Sequence, residues 1–167
     1  GVQQFDWSPT DNFVSLWIPE YQNQPAKVCL MEMPSRNELR QKNLFNVADL
    51  RMTWHDQGHF LCVKVDKHSK SKKTLNSVFE LFRLRDKEVP IEVIEFSKDT
   101  SVAAFAWEPK GIRYAVIHGE PGSARSDVSF YSMGSKYNGK ISLIKTLEKK
   151  AATLPLEPSA SASASPS

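Results

Sequence analysis

The chain has 167 residues, 40% of them apolar and 25% charged, the balance of a soluble globular domain long enough to bury one real core. No run approaches the roughly 20 apolar residues of a membrane-spanning helix, and the polar start lacks the basic-then-apolar order of a signal peptide. A formal net charge of +3 permits contact with an RNA-rich surface without demanding it.

The first residue is Gly1 rather than methionine, which reads as a fragment or a processed product. Phe5 to Glu20, "FDWSPTDNFVSLWIPE", then opens the chain with a β-type run ending on Trp7, a polar turn from Ser8 to Asn12 and a second run, "FVSLWI". "AKVCLMEM" and "LRQKNLF" supply a third and a fourth extended segment, with "PSRNELRQKN" able to form a short turn of helix. Cys29 and Cys62 are too few for a zinc ribbon or a disulfide framework. Both sit in apolar runs, as small buried hydrophobes of a reducing, cytoplasmic compartment do.

The same order recurs twice. "LRMTWHDQGHFLCVKVDK" carries Trp54, the turn His55 to Gly58, and the runs "FLCVKV", "SVFELFRL" and "PIEVIEF". "AFAWEPKGIRYAVIHGE" carries Trp107, the turn Glu108 to Gly111, and the runs "YAVI", "DVSFYSM" and "GKISLIKTL". Pro9 and Pro109 suit the first central position of a tight turn, and Asn12, Gly58 and Gly111 tolerate the left-handed conformation that returns the chain. Trp7, Trp54 and Trp107 are 47 and 53 residues apart. Units of four antiparallel strands at that spacing predict β-propeller blades of the WD40 type; a β-sandwich with tryptophans after its strands is the plainer alternative. The predicted fold is therefore all-β, a partial propeller over 1–150 with blades at about 1–46, 47–99 and 100–150. Its tryptophans are expected to pack between blades as structural anchors rather than to touch ligands. From Ala151 the composition turns to alternating Ser and Ala with Pro, so 151–167 is expected to be a disordered low-complexity tail. Three blades leave open faces, so the chain reads as part of a larger ring.

Candidate sites are few. "GSKYNGKI", Gly134 to Ile141, nearly matches a phosphate loop, but Ile141 stands where the magnesium-binding hydroxyl belongs. "HDQGH" spaces His55 and His59 like a helical zinc site, yet it falls on a turn and lacks a third ligand. Neither a metal nor another cofactor is expected, and no nucleophile and base pair is legible, so the chain reads as non-enzymatic. "KVDKHSKSKK" is the strongest charge feature, with Lys64, Lys67, Lys70, Lys72 and Lys73; Arg36, Arg40 and Lys42 form a second basic group. Both are either solvated faces or contacts for RNA phosphates or an acidic partner. Without interleaved aromatics, sequence-specific base recognition is not expected.

"FDWSPTDNFVSLWIPE", "PSRNELRQKNLFNV", "LCVKVDKHSKSKK" and "FAWEPKGIRYAVIHGE" resemble the propeller region of the B subunit family of eukaryotic translation initiation factor three, most closely its plant form, over about residues 1–148. The resemblance implies a WD-repeat scaffold of the cytoplasmic initiation machinery. It would contact other subunits of that complex and the small ribosomal subunit, engage mRNA or rRNA indirectly, and have no membrane partner. The related propeller of initiation factor two-A, associated with initiator tRNA delivery, is the alternative.

Overall fold

The computed structural model describes residues 1–71, 73–134 and 139–148. Among them every regular element is a strand: β1 (Gln4–Trp7), β2 (Phe13–Ile18), β3 (Ala26–Glu32), β4 (Glu38–Leu44), β5 (Val47–Trp54), β6 (Phe60–His68), β7 (Leu75–Arg83), β8 (Ile91–Glu95), β9 (Ser101–Trp107), β10 (Arg113–Gly119), β11 (Asp127–Ser132) and β12 (Ser142–Glu148). They form three four-stranded antiparallel meanders, β1–β4, β5–β8 and β9–β12, each strand paired to its neighbour in sequence. This is the blade arrangement the repeat predicts.

The repeat holds at the level of backbone hydrogen bonds. Each turn after a tryptophan closes through the same contact: Ser8 N–H to Phe13 O (2.9 Å), His55 N–H to Phe60 O (3.0 Å) and Glu108 N–H to Arg113 O (2.8 Å). A second contact ties the end of the third strand to that turn: Met33 N–H to Asn12 O (2.7 Å), Leu84 N–H to His59 O (2.9 Å) and Met133 N–H to Ile112 O (2.8 Å). Trp7, Trp54 and Trp107 sit at one register, opposite Val14, Leu61 and Tyr114.

Alternating side chains give each sheet two apolar faces, and neighbouring sheets stack on them. Leu30, Val28 and Trp17 of the first sheet meet Met52, Leu61, Val63 and Phe82 of the second in one core. Phe60, Phe79 and Leu81 of the second meet Trp107, Tyr114 and Val116 of the third in another. The second core is an aromatic cluster: Phe60 stacks on Trp107 with centroids 5.3 Å apart, and Phe105, Tyr114 and Tyr131 extend it. Among the described residues the middle sheet is covered on both faces, and the first and third each pack on it by one face.

Several local expectations need correction. "PSRNELRQKN" forms no helix: residues 33–37 are a turn in which Arg36 adopts φ of 66°, and β4 follows. Of the turn residues expected in the left-handed region, Gly58 is there, at φ of 71°, whereas Asn12 and Gly111 have no positive φ. Gly111 is small for another reason. A Cβ there would lie 2.5 Å from the Glu108 carboxylate, which grips Arg113. At Gly58 a Cβ would come within 2.0 Å of Thr10 Oγ1 in the adjacent turn, so both conformation and space demand glycine. The expected tail 151–167 lies outside the described residues.

Candidate interaction surfaces

The tryptophan register builds the joints between sheets. Trp54 Nε1 donates to Ser15 Oγ of β2 at 3.1 Å, and Trp107 Nε1 donates to the Thr53 carbonyl of β5 at 2.9 Å. Each indole thus lies on the sheet before its own. Ser15 and Thr53 belong to equivalent rows across the sheets, Asp6–Ser15–Leu30–Arg40 and Thr53–Cys62–Leu81–Glu92. Trp107 is 9% exposed and Trp54 is half-buried, but Trp7 is 56% exposed. Its position is equivalent; its cover is not, because no sheet precedes it among the described residues.

Polar ties beside the indoles carry no signal in the sequence. His55 is fully buried, and its Nε2 donates to the Gly111 carbonyl at 2.7 Å. A carbonyl only accepts, so Nε2 carries the proton and Nδ1 is left to accept from the His59 N–H at 3.4 Å. Burial holds the imidazole below its ordinary pKa. "HDQGH" is therefore a turn latch, and no cluster of metal-binding side chains occurs among the described residues. Arg83, 4% exposed, donates from Nη2 to the Met133 and Gly139 carbonyls of the third sheet and from Nε to Glu92. Its charge reads like a surface strand residue; only the cross-sheet distance reveals the joint.

Of the two basic groups, Lys42 and Lys67 approach one shared partner, the Glu80 carboxylate, on which both pull against burial. In the second, Arg40 Nε donates to the Val89 carbonyl at 3.1 Å, and the Lys42 ammonium lies 3.4 Å from the carboxylate of buried Glu80. Both tie the first sheet to the second. Arg36 is exposed on the turn beside the tryptophan-following loops, at the opposite end of the sheets from the lysine turn. Strand β6 runs on past "FLCVKV" to His68, so Lys67 as well as Lys64 is a strand residue. Lys64 is paired with Asp66 at 3.0 Å. Between β6 and β7, Lys70 and Lys73 are exposed; Lys72 lies outside the described residues.

Lys73 does gain an unforeseen neighbour. It lines a cleft of about 300 Å³ with Lys98 of the β8–β9 loop, beside Ser101 and Pro121 of the third sheet. Lys70 lines the adjoining cleft with His68 and Asn46. One rim thus presents ammonium groups at both joints between sheets, with Asp66 lining the first cleft and Glu20 the second, and no Phe, Tyr or Trp lines either as a platform for bases. Of the near-match phosphate loop, residues 135–138 lie outside the described residues, and Ile141 packs against the second core. Cys29 and Cys62 are both free and buried. Burial and the neighbouring Glu38 push the Cys29 thiol up to about 11. Neither is poised as a nucleophile or as a metal ligand.

A family model described as "Eukaryotic translation initiation factor eIF2A" matches residues 42–160, more than half of the chain. The chain belongs to this translation initiation factor family. The B subunit of eukaryotic translation initiation factor 3 from Arabidopsis thaliana is 53% identical over 156 residues, 91% of this chain and 22% of the relative. The protein of the same name from Xenopus laevis is 48% identical over 152 residues, 91% of this chain and 21% of the relative. The resemblance to that B subunit, and to its plant form, holds. The chain spans about a fifth of the length of the curated relatives it matches. Among solved structures, "Kuenenia stuttgartiensis Hydrazine Synthase" aligns at a TM-score of 0.56 and 10% identity, over 89% of this chain and 50% of that one. At such identity the likeness concerns the fold alone. The β-propeller domain of the Trilobed protease from Pyrococcus furiosus aligns at a TM-score of 0.49, with 15% identity over 86% of this chain and 43% of that one.

Proposed function

We propose that this segment is a non-catalytic scaffold of the cytoplasmic translation initiation machinery. Its sheet edges and rims hold other subunits of the initiation factor and the small ribosomal subunit while mRNA is recruited. The observation that carries this reading is 53% identity to a protein named as the B subunit of initiation factor three. The chemistry of the fold agrees. Buried titratable groups are engaged in joints between sheets, as His55 with Gly111 and Arg83 with Met133. Three exposed lysines, Lys70, Lys73 and Lys98, stand on one rim. Contact with rRNA or mRNA through that rim would be electrostatic and sequence-independent.

Co-sedimentation with purified small ribosomal subunits at graded salt tests the reading. Binding should weaken as salt rises, and the triple variant Lys70→Gln, Lys73→Gln, Lys98→Gln should weaken it further and flatten the salt slope by roughly three phosphate contacts. Unchanged binding by that variant removes the rim from the account. The description of the matching family favours a second reading, the propeller of initiation factor two-A type. Retention of initiator tRNA in preference to small ribosomal particles would select it.

A further inference from the structure

Strand β7 buries every residue from Ser77 to Arg83, yet its first residue, Leu75, is 49% exposed. Alternation puts Leu75 on the side of Ser77, Phe79 and Leu81, the face that packs on the third sheet. The apolar stack of that joint therefore runs out into the cleft of about 300 Å³, where Leu75 meets Val102 and Pro121. The walls of this cleft are the second and third sheets, both supplied by the chain itself.

Polar groups surround the apolar lip. Deeper in, Asp66 takes the Lys64 ammonium on both oxygens, at 3.1 and 3.0 Å, and the Ser77 hydroxyl at 2.8 Å. Its charge is balanced in place, and no other carboxylate lines the cleft among the described residues. Lys73 of the β6–β7 loop and Lys98 of the β8–β9 loop also line it, and both are exposed. Lys42, Lys64, Arg83, Arg85 and Arg113 each pair with a carboxylate; among the described residues Lys73 and Lys98 do not.

We infer that this cleft holds a segment of a protein partner in which an acidic side chain lies next to an apolar one. The acid sits between Lys73 and Lys98, and its neighbour covers Leu75 and Pro121. The inference rests on the scaffold reading for the partner's being a protein, and it names the chemistry of that partner's surface. An exposed leucine gains from an aliphatic side chain and nothing from a phosphodiester. Asp66 repels a chain with a charge at every unit more than it repels one carboxylate held between two ammoniums. No Phe, Tyr or Trp lines the cleft to stack a base. The hydroxyls of Thr74 and Ser101, which both donate and accept, stand beside the lysines to serve a peptide backbone.

Fluorescence anisotropy on the full 167-residue chain tests this with three labelled probes. They are a dodecapeptide of repeated Glu-Leu-Asp, the same peptide with Ser in place of Leu, and a single-stranded oligouridylate. The Leu peptide should bind more tightly than either of the others. Lys73→Gln with Lys98→Gln should weaken it about tenfold, the worth of two exposed charge pairs, and flatten its salt dependence. Leu75→Ser should weaken it about fivefold and leave the salt dependence as it was, since only apolar contact is lost. Far-ultraviolet circular dichroism unchanged from the parent shows that the variants fold. No binding of the Leu peptide, equal binding of the two peptides, or parental binding by Leu75→Ser would each overturn the proposal. Tighter binding of the RNA, lost with the lysines and indifferent to Leu75, would also overturn it and give the cleft to nucleic acid. A chain that takes the Leu peptide but does not co-sediment with small ribosomal subunits keeps this site and loses the ribosomal contact. One that co-sediments but ignores the peptide does the reverse.

Discussion

The Nε2 of His55 lies 2.7 Å from the carbonyl of Gly111, joining the turn after Trp54 to the turn after Trp107. The carbonyl fixes the tautomer, and the His59 N–H then requires an unprotonated Nδ1. Protonation would set two donors against each other in a fully buried place.

Acid should therefore loosen this joint. Burial lowers the His55 pKa from its ordinary 6.5, so below that pH the unfolded chain takes up a proton that the folded chain refuses. The contribution of the latch is complete above pH 6.5 and is lost as pH falls toward the depressed folded value. Denaturant midpoints measured between pH 8 and pH 5, about the range in which histidine titrates, should fall with acid. In His55→Gln, whose amide can still donate to Gly111, the dependence should flatten. An equal slope in both proteins would assign it to the carboxylates.

The repeat is legible because its signals are local. Proline and glycine turns after an aromatic, followed by runs of β-branched and aromatic residues, mark each hairpin, and their spacing marks the unit. What the sequence hides is which charged residues cross between sheets. Arg40, Lys42 and Arg83 look like solvent-facing strand residues, and only stacking of the sheets supplies Val89, Glu80 and Met133 as partners. Lys67 falls beyond the run "FLCVKV" in the sequence because nothing local tells that β6 extends to His68. Trp7 shows the converse: its local pattern matches that of Trp54, and its exposure depends on a neighbour that local pattern does not contain.

Lys42 and Glu80 give a direct test of one such crossing. Glu80 is 2% exposed, and burial raises its pKa against the pull of the Lys42 ammonium. Removing Lys42 takes away the ammonium that pairs with the buried carboxylate and leaves Lys67 to act on it, so Lys42→Met should destabilise by about 1–3 kcal/mol. Glu80→Gln in the same chain should return much of that loss, because the remaining group is neutral. A double-mutant cycle by urea unfolding measures the coupling. Additive effects would mean that the pair does not stabilise the joint.

Arg83 holds the second and third sheets together more firmly than charge alone would. Its guanidinium serves Glu92, two backbone carbonyls and the face of Phe60, 6.0 Å from the ring centroid. Lysine has neither the planar fork nor the reach to satisfy both sheets. Arg83→Lys should therefore destabilise nearly as much as Arg83→Met, by about 2–3 kcal/mol, since the Met133 and Gly139 carbonyls lose their donors in both. Amide hydrogen exchange should rise first in β11 rather than in β6, whose sheet is covered on both faces. If lysine restores parental stability, the joint is a simple ion pair.

The three repeat tryptophans should differ in energetic weight by an amount their shared pattern hides. Trp107 stacks on Phe60, meets Tyr114 edge-on and donates its N–H to Thr53, so Trp107→Ala empties the second core. A loss of about 3–5 kcal/mol is expected, comparable to the whole stability of many domains. Trp107→Phe keeps part of the stacking and loses the hydrogen bond, and should fall between. Trp7→Ala removes a side chain already more than half in water, so at concentrations where the chain is monomeric the loss should stay below about 1 kcal/mol. Unfolding midpoints at low protein concentration separate these outcomes. Equal losses at Trp7 and Trp107 would mean that the Trp7 indole is covered in solution as fully as the Trp107 indole is.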